Sequence, residues 1–165
     1  MSKTTSPPRP AITIERTYEA AVEDLWELWT TKEGFESWWG PEGFRVEVHR
    51  IDPRVGGELA YDMIACSAET IAAMQEAGRP SSHRTRGVFA ELAPHRRLAL
   101  MHVIDFLPEV APYEHHITVD FLPEGEAVRM VVAIGPHADE HWTRQSVAGF
   151  ESQLTKIPAA LARRR

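Results

Sequence analysis

The chain has 165 residues, 43% of them apolar and 25% charged, a globular composition whose length allows one core burying roughly 70% of the unfolded surface. Its 24 acidic residues outnumber its 18 basic ones, for a formal net charge of -6, which argues against nucleic-acid binding because affinity for phosphate backbones rests on clustered Lys and Arg. No apolar stretch approaches the ~20 residues that span a bilayer and no signal-peptide core is visible; Cys66 is the only cysteine, so no intramolecular disulfide can form and a reducing, cytoplasmic location is expected.

Residues 1–10 hold three prolines and no periodicity, and are expected to be a disordered arm. From Ala11, the residues Ile12, Ile14 and Arg16 alternate with Thr13, Glu15 and Thr17, the period-two signature of a strand. The period then changes to that of a helix from about Ala20 to Thr30, with Val22, Leu25, Trp26 and Trp29 on one stripe. Thr31 is placed to cap a second short helix carrying Phe35 and Trp38, which Gly40-Pro41 is expected to stop.

Alternation resumes from Phe44 to Ile51, followed by the turn Asp52-Pro53-Arg54-Val55-Gly56-Gly57 and a returning strand from Leu59 to Ile64. Ser67 to Ala77 breaks the strand logic, because its alanines favour helix and Ile71 and Met74 share a helical face. This helical insertion, between Cys66 and His83, could cover a cavity or pack on a second subunit. Cys66 itself, with no cation among its neighbours, is expected to be a small packed side chain. Four further strands are predicted at about His83 to Leu92, Arg97 to Phe106, Tyr113 to Leu122 and Ala127 to Gly135, with short turns that imply antiparallel neighbours.

After Pro136 a long helix is expected, capped by Asp139, with Trp142, Ser146, Gly149, Phe150, Gln153, Ile157 and Leu161 facing inward and a kink or end at Pro158. Arg163 to Arg165 complement its negative C-terminal pole and carry no further weight. A sheet that is apolar on one face must be covered by that helix. The expected fold is therefore α+β, with about seven antiparallel strands curved around one long C-terminal helix.

The segments Ile12 to Arg16, Ala20 to Trp26, Trp38-Trp39-Gly40-Pro41, Asp52 to Gly57 with Tyr61 beyond it, and Trp142 to Leu154 together resemble the helix-grip, START-like (SRPBCC) superfamily, in the branch related to the activator of the Hsp90 chaperone ATPase. The resemblance spans Ala11 to about Leu161. It implies one START-like domain over residues 11–165 and a hydrophobic cavity between sheet and helix. Members include lipid carriers, hormone receptors and aromatic cyclases, so the fold alone leaves the chemistry open.

Strand parity supplies the candidate residues. On the Arg97 strand, His102 shares a face with Leu98, Leu100 and Ile104; on the Tyr113 strand, His115 shares one with Ile117, Val119 and Phe121, and His116 turns to solvent. Tyr61 and Met63 lie on the Leu59 face, and Trp142 and Ser146 on the helix's inner face. Trp26 and Trp29 fall on the core stripe, whereas the adjacent Trp38 and Trp39 cannot both face inward easily, so one of them is a candidate pocket wall. Such histidines are as readily structural as functional, each satisfied by a neighbour, a water or a ligand.

No spacing on a single element forces a metal site, and no phosphate loop, dinucleotide fingerprint or Ser-His-Asp order appears. No cofactor is expected. The leading expectation is a binding or carrier domain for a small hydrophobic or aromatic ligand, lined by Trp38, Trp39, Tyr61, Met63, His102, His115, Trp142 and Ser146, with no catalytic residue assigned. Two alternatives stand beside it: a cyclase- or hydrolase-type enzyme using a pocket histidine, and a stress-related co-chaperone-like interaction module. Homodimerisation would protect the sheet's edge strands.

Overall fold

The first strand, β1 (Ile12–Tyr18), buries Ile14 and Tyr18. Arg16, on the same parity, is exposed and reaches Glu151 of the C-terminal helix at 3.7 Å. These features belong to a computed structural model that describes residues 11–105 and 109–164; the expected N-terminal arm, Phe106 at the end of its strand, and Arg165 lie outside the described residues.

Helix α1 (Val22–Thr30) buries Leu25, Trp26, Leu28 and Trp29 along the stripe that its period required. Thr31 ends α1 and starts α2 (Lys32–Glu36) with one side chain: Oγ1 donates to the Glu27 carbonyl at 2.9 Å and accepts from Gly34 N at 3.0 Å. A Cβ at Gly34 would lie 2.2 Å from the Glu27 carbonyl oxygen, so this tight corner requires glycine. Helix α2 stops at Ser37, before Gly40-Pro41, and leaves Trp38 and Trp39 in the turn beyond it.

Strands β2 (Phe44–Ile51) and β3 (Glu58–Ala65) form the expected hairpin. Helix α3 (Ala68–Glu76) is the expected insertion, capped by Ser67 Oγ accepting from Thr70 N at 3.1 Å. Cys66 just before it is exposed, not packed, because the chain is leaving the sheet there. Strands β4 (Ser82–Ala93), β5 (Arg97–Ile104), β6 (Tyr113–Glu124) and β7 (Ala127–Ile134) complete an antiparallel sheet of order β1-β7-β6-β5-β4-β3-β2. Register shifts between Val48 and Arg50 and between Phe89 and Glu91 are the irregularities that add local twist and bend to such a sheet.

Helix α4 (Glu140–Leu154) begins at Asp139, whose carboxylate accepts from Trp142 N at 2.8 Å. Asp139→Ala removes this cap and is expected to cost about 1 kcal/mol, read as a lowered thermal midpoint. The long helix expected from the sequence is in fact two, because the chain turns at Thr155 and Lys156 before α5 (Ile157–Arg163). Pro158 then falls in the first turn of α5, where its missing N–H costs no intrahelical bond. Lys156 anchors the break by donating from Nζ to the Gly40 and Phe44 carbonyls at 2.7 and 3.1 Å.

The core joins the inner faces of α1, α2, α4 and α5 to the sheet through Trp29, Phe35, Leu98, Val119, Met130 and Phe150. The architecture is the α+β helix-grip arrangement. No helix among the described residues is long and apolar enough to cross a membrane.

Candidate ligand pocket

Period-two alternation sends Tyr61 and Met63 of β3, His83 and Thr85 of β4, His102 and Ile104 of β5, and His115 and Ile117 of β6 to the same concave face. Opposite them, α4 presents Trp142, Ser146 and Phe150 at four-residue intervals, one helical stripe. Trp39 and Pro41 close one side from the turn after α2, and Met74 of α3 reaches in from another. The pocket they line is partly open to solvent and has a volume of about 330 Å³.

At its floor, Trp39 Nε1–H donates to the Tyr61 hydroxyl at 2.9 Å, and that hydroxyl lies 3.1 Å from His102 Nε2. The Trp39 and His102 rings stack with an interplanar angle of 15°. Burial raises the Tyr61 pKa well above its ordinary value, so the phenol stays protonated. Burial, with smaller contributions from His115 and His137, pushes His102 down to about 3. At neutral pH both groups are therefore uncharged hydrogen-bonding groups. Thr85, 4% exposed, sits beside the Tyr61 hydroxyl, and its own hydroxyl makes no hydrogen bond of full geometry.

A second histidine arrangement lies along β6. His115 Nε2 is 2.7 Å from the Gly135 carbonyl oxygen, which can only accept. The proton must sit on Nε2 of the neutral ring, leaving Nδ1 as an acceptor. Its ring stacks on His137 at 3.8 Å between centroids and 16°, and the Tyr113 hydroxyl meets His137 Nδ1. Burial lowers the pKa of both, that of His137 to about 4.

The structure thus brings Trp39, Tyr61, Met63, His102, His115, Trp142 and Ser146 around one space. Trp38 is a correction: it is fully buried in the core, its ring 4.8 Å from that of Trp29 and its Nε1 donating to the Leu28 carbonyl at 2.8 Å. Because α2 ends early, the turn directs Trp38 back onto α1 and Trp39 over the sheet. Thr85 and His83 were missed, although the parity applied to β5 and β6 places them equally well on β4. His137 follows Pro136 in a loop without periodicity, and no sequence signal marks it.

Among the described residues, neither Asp nor Glu lines the pocket, and no group of three His, Cys, Asp or Glu could hold a metal ion. The arrangement can offer neutral donors and acceptors at the floor, aromatic faces at the sides, and the guanidinium of Arg79 beside α3.

The sequence profile described as Activator of Hsp90 ATPase homolog 1-like protein matches residues 19–162. Among curated proteins no significant match to the chain is found. Among solved structures, the chain is similar to an AHSA1 protein of Silicibacter pomeroyi, with a TM-score of 0.71 or better in this and the next case: 0.74 here, at 19% identity over 94% of this chain and 99% of that one. A Chromobacterium violaceum protein matches with a TM-score of 0.71 at 21% identity, over 92% of this chain and 96% of that one. CalU16 of Micromonospora echinospora matches at 0.61 and 17% identity, over 92% of this chain and 75% of that one. At such identities the likeness is one of fold.

Proposed function

The chain belongs to the Activator of Hsp90 ATPase homolog 1-like family, and from that premise we propose that it is a binding domain that holds a small, largely apolar or aromatic ligand between α4 and the sheet. One observation carries this reading: a pocket of about 330 Å³ with aromatic walls and a few convergent hydrogen-bonding groups at its floor. Apolar walls supply affinity in such sites, and a small number of placed polar groups supply orientation. With Cys66 as its only cysteine, the domain fits the reducing cytoplasm.

The enzyme reading is weaker on physical grounds. A general base works best with a pKa near the operating pH, and burial holds His102 at about 3 and His137 at about 4. Among the described residues no lining carboxylate is available to orient or raise either of them. These rings are better suited to hydrogen bonding than to taking a proton.

Addition of the neutral fluorophore N-phenyl-1-naphthylamine to the purified chain is expected to give saturable fluorescence enhancement. Ser146→Trp, which fills the space below α4, is expected to remove most of it without unfolding the protein. Absence of saturable binding, or equal binding by a folded Ser146→Trp variant, would overturn the reading.

A further inference from the structure

Resting on that reading of the site, we infer that the ligand is a small aromatic acid: its carboxylate lies at Arg79 and His83, and a hydroxyl or carbonyl at its far end reaches Thr85 and Tyr61.

The charge distribution is the first support. The chain carries 24 acidic residues and a net charge of -6, yet none of its described carboxylates lines the pocket, and among the described Lys and Arg residues Arg79 alone does. Arg79 makes no ion pair among the described residues. Its neighbours on β4 are engaged, Arg84 Nε with Asp62 at 2.7 Å and Arg86 Nη1 with Asp105 at 3.6 Å. An unmatched guanidinium beside an acid-free apolar pocket selects for an anion with an apolar body.

The second support lies at the opposite end. The Thr85 hydroxyl is buried and lacks a hydrogen bond of full geometry, next to a Tyr61 hydroxyl already joined to Trp39 and His102. A ligand hydroxyl or carbonyl placed there would complete the set. His83 and Thr85 occupy the same face of β4 two residues apart, opposite Met63 and Tyr61, which separates the two ends by about 7 Å of strand rise. That is the reach of a para-substituted benzene ring, and Trp39, Trp142 and Phe150 offer it aromatic faces.

Titration of the full chain with 4-hydroxybenzoate, its methyl ester and unsubstituted benzoate, followed by calorimetry, tests both ends. The hydroxy acid is expected to bind about tenfold more tightly than its ester. Arg79→Gln is expected to erase that preference, and Thr85→Val to erase the preference for the hydroxy acid over benzoate. An ester that binds as tightly as the acid, or an acid preference that survives Arg79→Gln, overturns the inference. The neutral naphthylamine separates the two levels: if it binds and the acid shows no preference, only the ligand class fails, whereas if neither binds, the pocket reading fails with it.

Discussion

Replacing Trp38 by alanine is expected to lower the unfolding free energy by about 3–5 kcal/mol, the range for emptying a buried aromatic site. The indole is fully buried, with Trp29, Trp39 and Phe150 at centroid distances of 4.8, 5.1 and 6.4 Å. Its Nε1–H donates to the Leu28 carbonyl near the end of α1, where no further turn supplies a partner. Trp38→Ala therefore opens a cavity and strands a buried acceptor together. Trp38→Phe keeps most of the ring and loses the bond, at an expected cost of about 1–3 kcal/mol. Urea unfolding at pH 7 measures both; a cost below about 1 kcal/mol for the alanine variant would contradict the packing described. Because Trp38 does not line the pocket, Trp38→Phe is expected to bind the naphthylamine much as the parent does.

The neighbouring tryptophan shows why half of this pair was readable and half was not. Adjacent residues in a turn point to different sides, so the sequence does imply that one of Trp38 and Trp39 faces the sheet. Which one depends on where α2 ends, and Ser37 closes it earlier than the Gly40-Pro41 signal suggested. Strands gave more. Their side-chain period is two, so one apolar neighbour fixes the side of every other residue; that placed His102 and His115 on the concave face, where they are register partners across β5 and β6. The same rule held for His83 and Thr85 but was masked by the exposed Arg84 and Arg86 between and beyond them. Arg79 and His137 come from connections, whose course is set by tertiary packing and has no period to read.

Lowering the pH from 7 to 4.5 is expected to destabilise the protein by about 2–3 kcal/mol through His102 alone, at about 1.4 kcal/mol for each pH unit below 6.5. The unfolded imidazole takes up a proton near pH 6.5, whereas the folded one, buried against Trp39 and Tyr61, does so only at about 3. Between those values the unfolded chain binds the extra proton, and stability must fall with pH. The stabilisation is complete above about pH 6.5 and is lost progressively toward about 3. His115 and His137, also lowered by burial, act in the same direction. Asp62, held below the usual carboxylate range chiefly by Arg84 and His49, adds its loss mainly below pH 4, outside this window. His102→Gln retains an amide that can bond the Tyr61 hydroxyl and cannot titrate. Urea unfolding of both proteins at pH 7, 6, 5 and 4.5 should show a shallower slope for the variant, and parallel slopes would mean that His102 accepts its proton without leaving the fold. A ligand that bonds the floor only when His102 is neutral keeps its affinity for the folded protein through that range, because the folded imidazole takes up its proton only at about 3.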